Sequence, residues 1–282
     1  MTAQAAPRPR GVVLAAIACS GTMAMHIFVP ALPAVARDFG TSAAAAQLTL
    51  TVYLVGIAGG QLVYGPLSDR FGRRPVLLFS LARFLVASLV GALAPAIDWL
   101  IAARVVQALG ACGGLVLGRA MARDGASPEQ AARQLALLVM VMTVSPAVAP
   151  LLGGLVAEAV GWRGIFMLLS LAAAALLALT VVAVPETNYQ RSPLPGIRAL
   201  LAVYGQLAAR ADFRGYAIGG ACMSTSLYAF LSASPFLFMD LLHRPAGEIG
   251  FYYMGVVAGI TAGSWLASRL TRRVGINGLL RL

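Results

Sequence analysis

The chain has 282 residues, of which 60% are hydrophobic and only 11% are charged, and its mean hydropathy is +0.83. Soluble domains are about 25% charged, so this composition excludes a soluble enzyme, a disordered chain and a disulfide-rich scaffold, and it indicates an all-α integral membrane protein. The formal net charge of +11 comes from 21 basic residues that are all arginine, and membrane topology explains them better than nucleic-acid binding does.

Eight apolar runs are long enough to cross the hydrocarbon core, for which about 18 to 20 residues suffice in a helix. In chain order they are Gly11–Val35, Gln47–Tyr64, Pro75–Ala94, Asp98–Gly118, Leu135–Val156, Arg163–Val184, Tyr216–Met239 and Ile249–Ser268. With the N-terminus in the cytoplasm, the inside segments hold 16 arginines, and the outside loops hold three, Arg37, Arg163 and Arg244. This bias predicts a cytoplasmic N-terminus.

The first span contains the segment His26-Ile-Phe-Val-Pro30-Ala-Leu-Pro33. No Asp or Glu lies in the middle of any predicted span, so His26 is the only side chain there that titrates near neutral pH, with an ordinary pKa of about 6.5. It either carries a proton or is a neutral histidine that is hydrogen-bonded to a hydroxyl such as that of Thr22.

The second and third spans are joined by Gly65-Pro-Leu-Ser-Asp69-Arg70-Phe-Gly72-Arg73-Arg74. The two glycines permit a tight turn between helices. Asp69 is expected near the start of the third span, where the helix dipole favours a carboxylate. Arg73 can pair with Asp69 and with Asp124, which follows the fourth span. The alternative is a loop whose arginines only set the topology.

Two arginines lie inside predicted spans. Arg104 is six residues from Asp98 at the outer end of the fourth span, and Gln107 follows one turn later. A cation within a span is costly and usually faces a cavity or a partner, although it can instead extend to the membrane surface. Arg83 in the third span has no partner that the sequence identifies.

Prolines, glycines and serines mark the fifth and seventh spans. Pro146 and Pro150 remove backbone donors and kink a helix, whereas Gly153 and Gly154 allow helices to approach closely. In the seventh span, Ser232, Ser234 and Pro235 predict either a break that exposes polar groups to a cavity or a simple kink.

The only long loop divides the chain into an N-terminal six-helix bundle (1–184), a cytoplasmic linker (185–215) and two further helices (216–282). The second half of the linker predicts an amphipathic helix on the membrane surface, with Leu200, Val203, Tyr204 and Leu207 on one face. An unstructured linker is the alternative.

Three arginines recur at a constant offset of 199 residues, since Arg70, Arg73 and Arg74 align with Arg269, Arg272 and Arg273. Such an offset is typical of a parallel repeat of two six-helix halves, which would need about 398 residues. We therefore expect a complete first half, only the first two helices of a second half, and an incomplete chain.

These motifs resemble those of a known family. Gly65–Arg74 closely resembles the loop 2–3 motif of the major facilitator superfamily, the segment around Arg104 and Gln107 resembles its fourth-helix motif, and Pro146–Gly154 resembles the antiporter motif of its drug exporters. Pro30–Pro33 and Phe230–Phe236 resemble the bicyclomycin/chloramphenicol resistance (Bcr/CflA) branch. His26 stands where these exporters usually have Asp, and Ala108 stands where Gly is usual.

The resemblance implies a major-facilitator-like bundle that exports small drug-like molecules across the bacterial inner membrane by proton antiport and alternating access. It implies no enzymatic activity, cofactor, metal or nucleic acid. Its partners would be substrate, protons and membrane lipid, and the full-length protein would be a monomer. A non-transporting fragment and a metabolite exporter are the alternatives.

The resemblance also assigns residues. A proton and substrate cavity would contain His26, Arg104, Gln107, Ser232 and Ser234. A charge cluster that latches the two halves would contain Gly65, Asp69, Arg70, Gly72, Arg73, Arg74 and Asp124. The antiporter motif would be Pro146, Pro150, Gly153 and Gly154. With Arg104 in the cavity and no carboxylate there, cationic cargo would be disfavoured.

Overall fold

The computed structural model describes residues 9–189, 191, 193 and 197–279. All regular structure within them is helical, in the order α1 (Gly11–His26), α2 (Leu32–Asp38), α3 (Ala43–Phe71), α4 (Arg73–Ala92), α5 (Ile97–Arg123), α6 (Pro128–Val160), α7 (Trp162–Ala183), α8 (Ile197–Ala209), α9 (Ala211–Phe236) and α10 (Ala246–Leu279). A 3-10 turn covers Val29–Ala31, and a π-helical turn covers Leu237–Leu241. The side chains of Arg272 and Arg273 lie outside the described part.

Seven helical segments in the described part are long and apolar enough to cross a membrane. The first joins α1 to α2 over Gly11–Asp38, the next five are α3 to α7, and the last is α9 with the π-helical turn, Ala211–Leu241. The predicted eighth span lies within α10, which has 34 residues but is not among the seven. The chain is therefore a multi-pass membrane protein.

The first predicted span is not one continuous helix. α1 ends at His26, and the chain passes through the 3-10 turn before α2 begins at Leu32. Pro30 and Pro33 have no N–H, so the helical bonds to the carbonyls of His26 and Val29 cannot form. We call residues 27–31 the break in the first span.

The second span continues further than its apolar run. α3 extends through Gly65 and Pro66 to Phe71, so the expectation that Gly65 helps to form a turn is wrong. Gly72 alone makes the turn to α4, with φ of +99°. This backbone conformation suits glycine because it has no Cβ.

Successive spans run in opposite directions, which gives the bundle two ends. The Arg73 end contains Gly72, the turn at residues 124–127 and residues 184–189; the Asp38 end contains the loops at residues 39–42, 93–96 and 242–245. α5 packs on α1, α3 and α4, while α6 packs on both α1 and α10. Gly110 and Gly114 of α5 face the backbones of Phe84 and Ile17, so these helices are packed closely.

Candidate functional site

Two cavities meet at His26, the last residue of α1 before the break in the first span. One has a volume of about 440 Å³ and lies between the break, α3 and α9; the other, of about 270 Å³, lies between α1, α6, α9 and α10. His26, Tyr228 and Leu231 line both cavities. These side chains therefore form the wall between the two spaces. The larger cavity is mainly apolar, with hydroxyl groups from Thr51, Ser224, Thr225, Tyr228 and Ser232.

His26 ends α1 and is held by its own helix. Its side chain is buried, and Nδ1 lies 2.7 Å from the carbonyl oxygen of Thr22. A carbonyl only accepts, so Nδ1 carries a hydrogen, and Nε2 of the neutral ring is an acceptor. The Thr22 hydroxyl donates to the carbonyl of Cys19 instead, so the partner of His26 is the backbone and not the expected hydroxyl. Within the described residues, Nε2 has no hydrogen-bond partner.

The two serines of the seventh span have different environments. Ser232 lines the larger cavity, and its carbonyl accepts a hydrogen bond from Gln47 Nε2 at 3.3 Å. Ser234 lines neither cavity: its buried Oγ lies 2.7 Å from the hydroxyl of Tyr253, which donates to the carbonyl of Leu231. α9 continues through Pro235 to Phe236, so the predicted break at these residues does not occur there.

Arg104 and Gln107 line neither cavity, which corrects the expectation that they face it. Both side chains are fully buried inside the six-helix bundle. The alternative interpretation, that Arg104 extends to the membrane surface, is therefore also wrong. Arg104 binds backbone carbonyls of Ala24 and Thr49 and the side chain of Gln107. Backbone carbonyls were not expected as partners within a span, because in a continuous helix most of them already accept a hydrogen bond from the N–H four residues later.

A charge cluster lies at the Arg73 end. Arg73 contacts Asp69 at 2.5 Å and Asp124 at 3.1 Å, as its sequence position predicted. Asp69 itself lies in the last turn of α3 and not at the start of α4, so the expected dipole contribution is absent. Arg74 donates to the carbonyl of Val181, whereas Arg70 is exposed beside the Phe71 ring.

Glu186 completes this end of the bundle, although sequence reasoning missed it. Its carboxylate accepts the backbone N–H groups of Arg73 at 2.9 Å and of Arg74 at 3.2 Å, so it caps the start of α4. A Cβ on Gly72 would lie 2.5 Å from the carboxylate, which gives a second reason for glycine there. The signal in the sequence is that Glu186 is the only acidic residue between Glu158 and Asp212.

Two residues beside Glu186 join the same cluster. The hydroxyl of Thr187 donates to Asp124 at 2.7 Å, and the Asn188 amide donates to the carbonyl of Asp69 at 3.1 Å. The segment after the sixth span is therefore bonded both to the end of α3 and to the end of α5.

The proline and glycine motif of α6 brings backbones together. α6 is continuous through Pro146 and Pro150. A Cβ on Gly153 would overlap the carbonyl of Ile27 in the break, and one on Gly154 would lie 2.5 Å from the carbonyl oxygen of Ala246. The motif therefore lets α6 pack against the first span on one side and α10 on the other.

The first six spans also meet α9 and α10 through polar contacts at the Asp38 end. Arg37 pairs with Asp240 at 2.8 Å, and the Glu158 carboxylate accepts the N–H of Gly247 at 2.7 Å. Towards the Arg73 end, α8 coincides with the predicted amphipathic helix, and its Tyr204 hydroxyl donates to the carbonyl of Leu62 at 3.0 Å. Within the residues described, no group of three or more acidic, histidine or cysteine side chains could hold a metal.

Comparison with known proteins gives consistent matches. The sequence model of the Major Facilitator Superfamily matches residues 14–282. The chloramphenicol resistance protein of Pseudomonas aeruginosa is 38% identical over 232 residues, which cover 82% of this chain and 54% of that protein. Multidrug resistance protein D of Escherichia coli (strain K12) is 31% identical over 264 residues, which cover 93% of this chain and 66% of that protein. The chain thus spans about half to two thirds of the length of these relatives.

A solved structure shows the same fold. A bacterial homologue of the human lysosomal transporter Spinster superposes with a TM-score of 0.77 at 18% sequence identity, covering 93% of this chain and 62% of that one.

Proposed function

The chain belongs to the major facilitator superfamily, a family of transporters and not of enzymes, and on this premise we propose that it exports small drug-like molecules in exchange for protons. The two relatives described above are named for chloramphenicol and multidrug resistance, which supports this class of cargo. The proposed location is the bacterial inner membrane, with the N-terminus and the Arg73 end in the cytoplasm, because the arginine bias favours that orientation.

The observation that carries the proposal is the position of His26 in the wall shared by two cavities. Imidazole gains and loses a proton near neutral pH, and Nε2 is the ring atom left for this task when Nδ1 is bonded to Thr22. His26 therefore takes the place of the aspartate that such exporters usually have. Glu and Asp are absent from the lining of both cavities.

The cavity also supports a small, mainly apolar cargo. Its volume of about 440 Å³ is within the range of roughly 300–1,000 Å³ that small-molecule sites occupy. Because Arg104 is buried elsewhere, His26 is, among the described residues, the only histidine or arginine side chain in the lining of either cavity, and neither lining contains an acidic side chain. Neutral compounds therefore meet no opposing charge when His26 is neutral, and cations are disfavoured when it is protonated.

Alternating access is supported by where the contacts lie. Arg37 with Asp240, Glu158 with Gly247, and the close approach of Gly154 to α10 all join the two parts at the Asp38 end. Transport requires these contacts to open while the Arg73 end closes. The Asp69–Arg73–Asp124 cluster is proposed to stabilise one of the two states, as its resemblance implies.

The test is efflux from bacterial cells that lack their own drug exporters. Cells that produce the protein should accumulate less radiolabelled chloramphenicol, and an uncoupler that dissipates the proton gradient should remove the difference. His26→Ala should abolish drug-dependent proton flux, whereas His243→Ala should not, because His243 is the chain's other histidine and lies exposed in a loop.

Two results would contradict different parts of the proposal. Proton flux that survives His26→Ala would remove His26 as the carrier. Unchanged accumulation of every compound in a panel of neutral, anionic and cationic drugs would refute drug export, and it would favour the metabolite exporter or the non-transporting chain.

A further inference from the structure

The break in the first span leaves a backbone acceptor inside the membrane bundle. In a continuous helix the carbonyl of Ala24 would accept the N–H of Phe28, but the last regular bond of α1 runs from Ile27 N–H to the carbonyl of Met23. A free carbonyl in a membrane must find another donor. Here the donor is NH1 of Arg104, at 3.1 Å from the Ala24 oxygen.

The Arg104 guanidinium is built into this position by further contacts. Its Nε lies 3.4 Å from the carbonyl of Thr49, and NH1 donates to Gln107 Oε1 at 2.7 Å. Gln107 in turn donates to the Ser88 hydroxyl at 2.8 Å. The network thus links α4, α5, α3 and the end of α1.

Arg104 has no acidic partner among the described residues, although its side chain is fully buried. Its charge is instead next to the C-terminal end of α1, which carries partial negative charge. It also lies over three aromatic rings, with Cζ at 4.1 Å from the Tyr53 ring, 5.0 Å from the Phe28 ring and 5.9 Å from the Phe166 ring. The Tyr53 hydroxyl donates to α1 as well, to the carbonyl of Gly21 at 2.8 Å.

We propose that Arg104 is a positioning residue: it fixes the break in the first span and thereby holds His26, two residues after Ala24, in the cavity wall. It acts without touching substrate or the transferred proton, because it lines neither cavity. The consequence for transport rests on the proposed role of His26, whereas the structural part, that Arg104 holds the break, does not.

The experiment compares Arg104→Met and Arg104→Lys with a matched control, Arg83→Met. Arg83 is a half-buried arginine of α4 that bonds Tyr64 and not α1. The first readout is independent of transport and uses Met25, a buried residue of the cavity wall next to Ala24. Met25 is replaced by Cys in a variant whose three native cysteines are replaced by Ala. The rate at which a maleimide labels this new cysteine is then measured in membranes.

Arg104→Met should raise the labelling rate of Met25→Cys severalfold, because the break is no longer held. In the efflux assay, the turnover of Arg104→Met should fall at least about tenfold while its KM changes less than about twofold. The pH profile of its efflux should also shift. Arg104→Lys should lie between the wild type and Arg104→Met in both labelling rate and turnover. Its ammonium group can reach one carbonyl but cannot reproduce the planar set of guanidinium donors. Arg83→Met should leave labelling and the pH profile unchanged.

Unchanged labelling together with a raised KM in Arg104→Met would overturn the proposal, because it would place Arg104 at the substrate. Unchanged labelling and turnover would overturn it as well. If His26→Ala retains proton flux while Arg104→Met still raises labelling, the proposed function fails and the positioning role stands. If Arg104→Met does not yield folded protein, Arg104→Lys and Gln107→Leu are compared by the same readouts, and the positioning role predicts faster labelling in both.

Discussion

Gly153→Ala tests how closely α6 approaches the break in the first span. The added Cβ would overlap the carbonyl oxygen of Ile27 and lie 2.8 Å from its carbonyl carbon. Both atoms belong to the backbone, so no side-chain rotation can make room, and the two helices must separate. Gly59→Ala in α3 is the matched control, because a Cβ there meets no atom within 4 Å.

The expected effects have opposite signs. Replacing glycine by alanine in a helix interior stabilises by about 0.5–1 kcal/mol, and this term alone should apply at Gly59. At Gly153 overpacking adds a cost of about 1–3 kcal/mol, and a rigid backbone neighbour puts it at the upper end. We therefore expect a net loss of about 2 kcal/mol in the free energy of unfolding for Gly153→Ala.

The assay is thermal unfolding of purified protein in detergent, followed by tryptophan fluorescence. At about 2–4 °C per kcal/mol for a chain of this size, Gly153→Ala should lower Tm by about 4–8 °C, and Gly59→Ala should raise it by about 1–4 °C. Equal Tm values for the two variants would show that α6 does not contact the Ile27 backbone, and the packing role of the motif would be refuted.

Two further predictions concern the ends of the bundle. Glu186→Gln should lower the free energy of unfolding by about 1–3 kcal/mol, because only one of the two terminal atoms of an amide side chain can accept a hydrogen bond. Hydrogen exchange at the backbone amides of Arg73 and Arg74 should then accelerate, and unaltered exchange would argue against the cap. Removing the Arg37–Asp240 pair, whose side chains are about half exposed, should cost less than about 1 kcal/mol; a double-mutant cycle measures this, and a coupling well above that value would show that the pair is desolvated.

The sequence predicted the family and the seven spans that the described residues contain, although not the failure of the eighth predicted run to qualify as a span, because the family motifs and long apolar runs are local features. A membrane demands long apolar helices, and the comparisons confirm the resemblance to drug exporters of the major facilitator superfamily and the helix-bundle fold class. Helix ends were less predictable. α3 continues to Phe71, beyond the apolar run that ends at Tyr64, because helical hydrogen bonds do not require apolar side chains.

The site was predictable only where spacing was informative. His26 was found because it lies four residues before Pro30, and it does line the cavities. The place of Arg104 could not be predicted, since one of its acceptors, the carbonyl of Ala24, is available only because the first span breaks. Glu186 was missed because its partners are more than a hundred residues away in the chain.

That separation along the chain has a consequence for synthesis. The Arg73 amide emerges 113 residues before the Glu186 carboxylate that caps it, which is roughly 6–23 s earlier at about 5–20 residues per second. Over this interval the start of α4 depends on water or lipid headgroups for its hydrogen bonds. The capping contact can form only after the sixth span, which ends at Ala183, has been made. The first six spans can therefore acquire all of their mutual contacts only once Glu186 has been synthesised.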